Sequence, residues 1–244
     1  MAKDVKIYCS IVIKILIIIS VILGFTLSYL YGHGVGAQNL LYFTLQSNIW
    51  IAAFDLIMVV LMINSFKTHR FKYSKAIHIF QQVFTVCITI TGVIFCFVLV
   101  PGYYADKSSA PINFEPFSAS SILLHMVVPV LAVFDFLMFT RKVEFKYKDS
   151  LYALIPNFAY LAFAGIGYAA NWDFGEGKNY PYFFLNYGSP AGMFGFSDQM
   201  PYFMGSFYWM IIIFIFAMSV SLLYIKLIKV IDKRNLFKMR LKET

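Results

Sequence analysis

The sequence predicts an all-α integral membrane protein, a single bundle of six transmembrane helices with both termini in the cytoplasm. Three observations predict this fold class. The chain has 60% hydrophobic and only 13% charged residues, which is typical of membrane proteins. Six apolar segments are each long enough, at about 20 residues, to cross a hydrocarbon core of about 30 Å. Finally, 18 of the 20 lysines and arginines accompany the first segment or fall in alternate gaps after it.

Residues 1–244 form one transmembrane domain, with spans at about 7–31, 38–63, 76–100, 117–139, 150–170 and 202–231. Long apolar runs such as Ile11–Leu23 predict helices, because backbone in hydrocarbon must satisfy its own hydrogen bonds. No internal repeat is evident, so an inverted-repeat transporter is not predicted. Residues 232–244 form a basic tail.

The first span carries Lys14 near its start. Val35-Gly36-Ala37 after it resembles a small-residue cleavage site, but the apolar stretch is too long for a typical signal peptide and is interrupted by Lys14. We therefore expect the first span to be retained.

The basic residues predict the orientation. They accompany the first span and follow the second, fourth and sixth, whereas the other gaps contain only Lys107 and Lys178. Basic side chains near spans stay on the cytoplasmic side, so three loops are predicted to face outwards from the cell membrane. The net charge of +8 then indicates contact with anionic lipid headgroups. Nucleic acid is not an expected partner, because no soluble segment combines basic and stacking aromatic residues.

Metal sites and cofactors are not expected. Cys9, Cys87 and Cys96 lie in or beside apolar segments without a CxxC motif and are interpreted as buried hydrophobic residues. His125 stands alone in its span, without Cys or carboxylate neighbours at ligand spacing.

Polar residues inside the spans are the main functional signal, because they are costly in hydrocarbon. Thr44 and His125 are predicted about 9 and 12 Å below the outer ends of the second and fourth spans, so they can meet. Asp55 and Asp135 are predicted about 25–27 Å down, near the cytoplasmic surface, and Asn157 near the same level. Thr44 and His125 form an outer set. Asp55, Asp135 and Asn157 form an inner polar cluster.

The outer set suggests nucleophilic chemistry. The Thr44 hydroxyl would attack after His125, a base near neutral pH, takes its proton. Asn48, with Gln46 and Ser121, would supply oxyanion or polar support. The structural alternatives are a threonine bonded to its own helix and a histidine that only packs.

The outer loop of residues 171–201, called the aromatic loop below, is rich in aromatic, glycine and proline residues. Tyr180, Pro181 and Tyr182 form its most rigid part. We expect Tyr180–Phe184 to form a lid that packs on the outer ends of spans two and four, above Thr44 and His125. The alternative is a belt of rings at headgroup depth.

These motifs resemble a known superfamily in their order. Tyr42-Phe43-Thr44 opens span two, His125 and Pro129 begin span four, and Tyr180-Pro181-Tyr182 lies in the last outer loop. The order resembles that of the androgen-induced and androgen-dependent TFPI-regulating membrane proteins, and more closely that of their uncharacterised bacterial six-span relatives. The resemblance implies a six-span threonine hydrolase of fatty acid esters of hydroxy fatty acids, with Thr44 as nucleophile and His125 as base.

The sequence thus leaves two functions open. The first is an intramembrane Thr/His hydrolase of a lipid ester, with its pocket towards the outer leaflet. The second is a non-enzymatic six-span protein: a small transporter, a proton or ion pathway in which Asp55, Asp135, Asn157 and His125 form a relay, or a lipid-binding structural protein.

Overall fold

The computed structural model describes residues 2–31, 40–68, 74–107, 115–139, 145–175 and 177–240. Within these residues, six helices are long and apolar enough to cross a membrane. This confirms the predicted number of spans and the prediction of a multi-pass membrane protein. Val35–Ala37 and several of the basic residues that predicted the orientation lie outside the described residues, namely Arg70, Lys72, Arg141, Lys142 and Lys242.

The bounds of the helices agree with most predicted spans to within a few residues. They are α1 (Ala2–Leu30), α2 (Phe43–Thr68), α3 (Lys75–Ala105), α4 (Ala119–Phe139), α5 (Leu154–Ala169) and α6 (Ser206–Arg240). A 3-10 helix, Tyr147–Ala153, leads into α5. Several bounds differ from the prediction by about five residues or more. The second helix begins at Phe43 and not near residue 38, and α6 continues into the predicted tail because its basic residues are good helix formers.

Serine side chains cap two of the helices. Ser74 precedes α3 and Ser118 precedes α4, and each hydroxyl oxygen accepts from the backbone N–H three residues later, at 3.4 and 3.3 Å. Such N–H groups have no partner within the helix, so the caps stabilise the helix starts. Lys75 at the start of α3 also pairs with Asp149 in the 3-10 helix at 2.7 Å, which joins these two elements at one end of the bundle.

The third and fourth helices each contain a π turn shortly before a proline. The turns span Phe95–Leu99 and Leu123–Val127, and the prolines are Pro101 and Pro129. In both cases the N–H that follows the turn donates to a carbonyl five residues back. A proline ring clashes with the carbonyl four residues before it, and the wider turn makes room for that carbonyl.

The two π turns meet where α3 packs against α4. The Phe95 ring stacks on the His125 ring, with centroids 3.9 Å apart and an interplanar angle of 17°. Gly92, about one turn earlier on α3, permits this approach. A Cβ atom at Gly92 would lie 2.9 Å from the His125 carbonyl oxygen and 3.0 Å from Pro129 Cγ. The absence of a side chain at Gly92 therefore allows the His125 backbone to lie this close to α3.

The central helix of the bundle is α3, which packs against α2, α4 and α6. On one side α1 packs against α2 and α4, and on the other α5 packs against α6. The outer surface is apolar, as expected where helices face lipid tails, and includes exposed Ile57, Phe97, Val130 and Ile166. Cys87 is buried as predicted, whereas the same prediction was wrong for Cys9, which is exposed on this surface.

The aromatic loop folds over the end of the bundle at which α6 begins. Phe183 and Phe184 are buried there, whereas Phe194 and Phe196 are exposed. Gly102 on α3 leaves room for the Phe183 ring, because a Cβ atom at residue 102 would lie 2.9 Å from that ring. One half of the loop is therefore part of the core, and the other half presents rings to the surroundings.

Candidate functional site

A small cavity of about 40 Å³ lies beneath the aromatic loop, between α2, α3, α5 and α6. A mostly apolar cavity with a few convergent polar groups is typical of a small-molecule site. The apolar lining comprises Phe43, Ile90, Ile94, Leu99, Leu161, Phe184, Leu185 and Ile213, and the polar lining Thr44, Thr91, Asn157, Tyr160 and Tyr182.

Thr44 is buried in the first turn of α2 and bonds to Tyr182 of the aromatic loop. Its backbone N–H donates to Tyr182 Oη at 3.2 Å, and its Oγ1 lies 3.3 Å from the same oxygen. Because Tyr182 Oη accepts from the N–H, the phenolic hydrogen remains available to Thr44 Oγ1. Tyr182 therefore satisfies one of the free N–H groups at the start of α2.

Neighbouring rings hold Tyr182 in place. Its ring stacks on Phe184 with centroids 5.0 Å apart and meets Tyr42 edge-on at 5.5 Å. Tyr160, which donates to the Leu41 carbonyl at 3.1 Å, lies on another side of the ring. Burial raises the pKa of the Tyr182 phenol above its ordinary value, so this group stays protonated and acts as a hydrogen-bond donor.

One turn further along α2, Asn48 links the Thr44 region to α4. Its Nδ2 donates to the carbonyls of Thr44 at 2.8 Å and Leu124 at 3.3 Å. Both amide hydrogens are thus directed at backbone carbonyls, and neither is directed at the cavity side of the Thr44 hydroxyl. Ser47, also buried, donates to the Thr44 carbonyl at 3.0 Å and lies 2.8 Å from the Thr91 hydroxyl.

His125 lies one residue beyond Leu124 and therefore about one turn deeper than Thr44. This difference in depth is larger than predicted, because α2 begins later than expected, at Phe43. His125 Nδ1 lies 2.9 Å from the Ser121 carbonyl oxygen, which only accepts, so Nδ1 carries the hydrogen and Nε2 is the proton acceptor.

The structure thus brings Thr44 together with Tyr182, and His125 together with Ser121 and Phe95. Among the described residues, no hydrogen bond joins Thr44 to His125, and His125 is not part of the cavity lining.

The two other predicted support residues also lie off the cavity. Gln46 Nε2 donates to the Leu40 carbonyl at 3.0 Å, and Ser121 Oγ donates to the Glu115 carbonyl at 2.9 Å. Both side chains satisfy backbone groups at helix starts. Of the predicted polar support, only the Ser121 carbonyl touches a predicted catalytic side chain, that of His125.

Of the predicted lid residues, Tyr182 lies against Thr44, but the neighbours of this part of the loop differ from those expected. Pro181 is buried, and Tyr182 contacts Thr44 directly. Phe183, which follows, packs against Gly102 of α3 and Trp209 of α6. The cavity that this part of the loop covers is bounded by α2, α3, α5 and α6, whereas we expected the lid on α2 and α4. None of the described lining residues belongs to α4, which contacts α3 through His125 and Phe95.

The predicted inner polar cluster divides into two parts. Asp55 and Asp135 both accept from Lys14, at 2.6 and 2.7 Å. Asn157 is not with them. It lines the cavity and donates from Nδ2 to the Ala153 carbonyl at 2.8 Å. Depth counted along one helix could not separate these residues, because it ignores which side of the bundle the helix occupies.

Lys14 is the largest correction to the sequence prediction. It was counted with the basic residues at span ends, yet its side chain is 1% exposed inside the bundle. The signal was present in the sequence, since one lysine interrupts a long apolar run and two aspartates lie in other spans. Opposite charges in hydrocarbon pair with one another. Asp55 and Asp135 thus both bond to a basic side chain inside the bundle, whereas they were predicted near the cytoplasmic surface.

Comparison with known proteins identifies no relative. The chain matches no protein-family model, no curated protein and no solved structure.

Proposed function

We propose that this multi-pass membrane protein binds an amphipathic, lipid-like molecule in the cavity beneath the aromatic loop. The apolar part would lie against Ile94, Leu161 and Ile213, and the polar group would bond to the hydroxyls of Thr44 and Tyr182. The observation that carries this proposal is the cavity itself, in which hydroxyl groups converge at one side of an otherwise apolar lining.

The energetics favour such a ligand. Each methylene group buried in an apolar cavity contributes about 0.8 kcal/mol relative to water. The protonated Tyr182 phenol donates a hydrogen bond, and the Thr44 hydroxyl donates or accepts one. An ester, carboxyl or hydroxyl group on the ligand satisfies both residues when it displaces their mutual contact.

The orientation of the cavity is part of the same proposal. With Lys14 removed from the count, the remaining basic residues still gather at the ends of the spans opposite the aromatic loop, except for Lys107 and Lys178. The loop and the cavity would therefore lie towards the outer leaflet of the cell membrane. The opposite end would contact anionic headgroups.

A substitution that fills the cavity tests the binding proposal. The purified protein in lipid nanodiscs would be labelled with a photoreactive fatty acyl ester, and labelled residues identified by mass spectrometry. We expect Leu161→Trp to lose most of the labelling, because the indole occupies the cavity. The control is Ile166→Trp on the same helix, where the side chain is exposed on the bundle surface and labelling should persist. Equal labelling of both variants would contradict the proposal.

A second candidate is hydrolysis of a bound lipid ester, and the tautomer of His125 favours it. Thr44 Oγ1 would attack the ester carbonyl while His125 Nε2 takes its proton, and the Tyr182 phenol would donate to the oxyanion. The imidazolium would then protonate the departing alkoxide, and water would release the acyl group from Thr44. This reaction requires the His125 ring to leave Phe95 and approach Thr44.

A fluorophosphonate probe distinguishes hydrolysis from binding alone. We expect labelling of the wild type and of Thr44→Ser, and loss of labelling in Thr44→Ala and His125→Ala. The control, Thr26→Ala, removes an exposed threonine hydroxyl that bonds to its own helix. If the probe does not label the wild type, the hydrolase candidate is wrong. The binding proposal is tested separately, by labelling with the photoreactive ester.

A further inference from the structure

A buried polar cluster lies outside the cavity and has no part in the proposed function. It consists of Lys14 and Ser10 on α1, Asp55 on α2, Gln81 on α3 and Asp135 on α4, and is called the Lys14 cluster below. All five side chains are at least 95% buried. Lys14 and Asp55 each lie about 18 Å along their helices, which places the cluster within the hydrocarbon region.

Both oxygens of Asp135 accept hydrogen bonds. Oδ1 accepts from Ser10 Oγ at 2.6 Å, and Oδ2 accepts from Lys14 Nζ at 2.7 Å and from Gln81 Nε2 at 3.2 Å. Hydrogen bonds from donors stabilise the ionised form of a carboxyl group. The arrangement is therefore that of a carboxylate.

Asp55 has a different environment. Its Oδ1 accepts from Lys14 Nζ at 2.6 Å, but its buried Oδ2 has no hydrogen-bond partner among the residues that the structure describes. A carboxylate oxygen buried without a donor is costly, and a neutral carboxyl group reduces that cost.

The net charge of the cluster also favours a neutral Asp55. One lysine and two ionised aspartates would leave a net charge of −1 in hydrocarbon, whereas one bound proton makes the cluster neutral. Lys14 Nζ lies between the two carboxyl groups, in the position that a metal cation would need, so the fitting ligand is a proton. Titratable side chains nearby in sequence include buried His78, one turn before Gln81 on α3, and exposed Tyr8 and Cys9, which precede Ser10 on α1.

We propose that the Lys14 cluster is a proton-binding site inside the membrane, in which Asp55 carries the proton on Oδ2 and balances the charges of Lys14 and Asp135. The site is separate from the cavity. Asn157 and His125, which the sequence suggested as members of a relay, make their hydrogen bonds elsewhere.

Infrared spectroscopy of the protein in nanodiscs at neutral pH tests the proposal. A protonated carboxyl group has a C=O stretch well separated from the carboxylate bands and shifts in heavy water. We expect one such group in the wild type and none in Asp55→Asn. Asp135→Asn should also show none, because Lys14 then pairs with an ionised Asp55. Lys14→Met should show twice the wild-type intensity, since neither carboxyl group then has a cation to balance it.

The control is Asp173→Asn, which changes an exposed carboxyl group in the aromatic loop and should leave the band unchanged. If a single variant does not fold, the double variant Lys14→Met with Asp135→Asn replaces both charged neighbours by neutral groups and should retain one band. The absence of the band from the wild type would overturn the proposal, as would its persistence in Asp55→Asn.

Discussion

At the residue scale, Thr44 differs from three other threonines of the spans. The hydroxyls of Thr26, Thr85 and Thr89 donate to the carbonyl four residues back in their own helices, at 2.7–2.8 Å. The corresponding carbonyl for Thr44 is that of Leu40, which precedes α2 and accepts from Gln46. The Thr44 hydroxyl is therefore directed to Tyr182 and the cavity. This local difference supports our proposal that Thr44 is the ligand-binding or reactive threonine.

Tyr182→Phe tests the contact between the loop and α2. The change removes the oxygen that accepts from the Thr44 N–H and bonds to its hydroxyl. We expect the free energy of unfolding to fall by about 1–2 kcal/mol, the effect of losing a helix cap or a buried hydrogen bond. Reversible unfolding in detergent micelles measures it. Tyr29→Phe, at an exposed position on α1, is the control. A loss of equal size in both variants would contradict the proposed capping role.

At the scale of the element, two proline-associated π turns decide how α3 and α4 pack. Each turn widens its helix before Pro101 or Pro129, and the Phe95 and His125 rings stack between them. Gly92 keeps the backbones close enough for this contact. The arrangement separates His125 from the cavity. It also makes the α3–α4 contact the element on which any movement of His125 towards Thr44 depends.

Gly92→Ala is expected to destabilise this contact by about 1–3 kcal/mol, because the new Cβ atom would lie 2.9 Å from the His125 carbonyl oxygen. The matched control is Gly165→Ala in α5, where the nearest atom to the new Cβ is 3.8 Å away. That variant should be neutral or more stable by up to about 1 kcal/mol, since alanine favours helices over glycine. Thermal unfolding of both variants in the same detergent gives the comparison. Similar stability of the two would show that α3 can move away from α4.

At the scale of the whole molecule, the chain combines two polar sites within one apolar bundle. The cavity lies beneath the aromatic loop, between α2, α3, α5 and α6, whereas the Lys14 cluster joins α1 to α4. Because α2 and α3 contribute to both sites, they are the elements through which one site would sense the other. The Lys14 cluster does not alter the proposed orientation, because the charge of Lys14 is balanced by aspartates within the bundle.

Cysteine accessibility tests that orientation. In a background in which Cys9, Cys87 and Cys96 are replaced by alanine, single cysteines would be introduced at Lys107, Lys178 and Lys146. We expect the first two to react with a membrane-impermeant maleimide in intact cells, and Lys146→Cys to react only after the membrane is opened. Labelling of Lys146→Cys from outside, with protection of the other two, would reverse the proposed topology.

The sequence by itself predicted the number of helices, their approximate bounds and the presence of buried polar groups. It could do so because hydrocarbon admits few backbone conformations, so length and hydropathy along the chain define the spans. It also predicted that Thr44 lies under aromatic residues of the last loop. The predicted start of α2 was too early, and this error placed Thr44 and His125 at similar depths.

Only the tertiary structure showed which side chains of different helices contact one another. Helices that are apolar on nearly all sides carry little information about which neighbour each face meets, so the pairing of Lys14 with Asp55 and Asp135 was not foreseen. For the same reason, the separation of Asn157 from those residues was missed. The two π turns and Gly92 set His125 against Phe95, and the loop placed Tyr182 on Thr44. These contacts depend on side-chain shape across helices far apart in sequence, which periodicity along one helix does not specify.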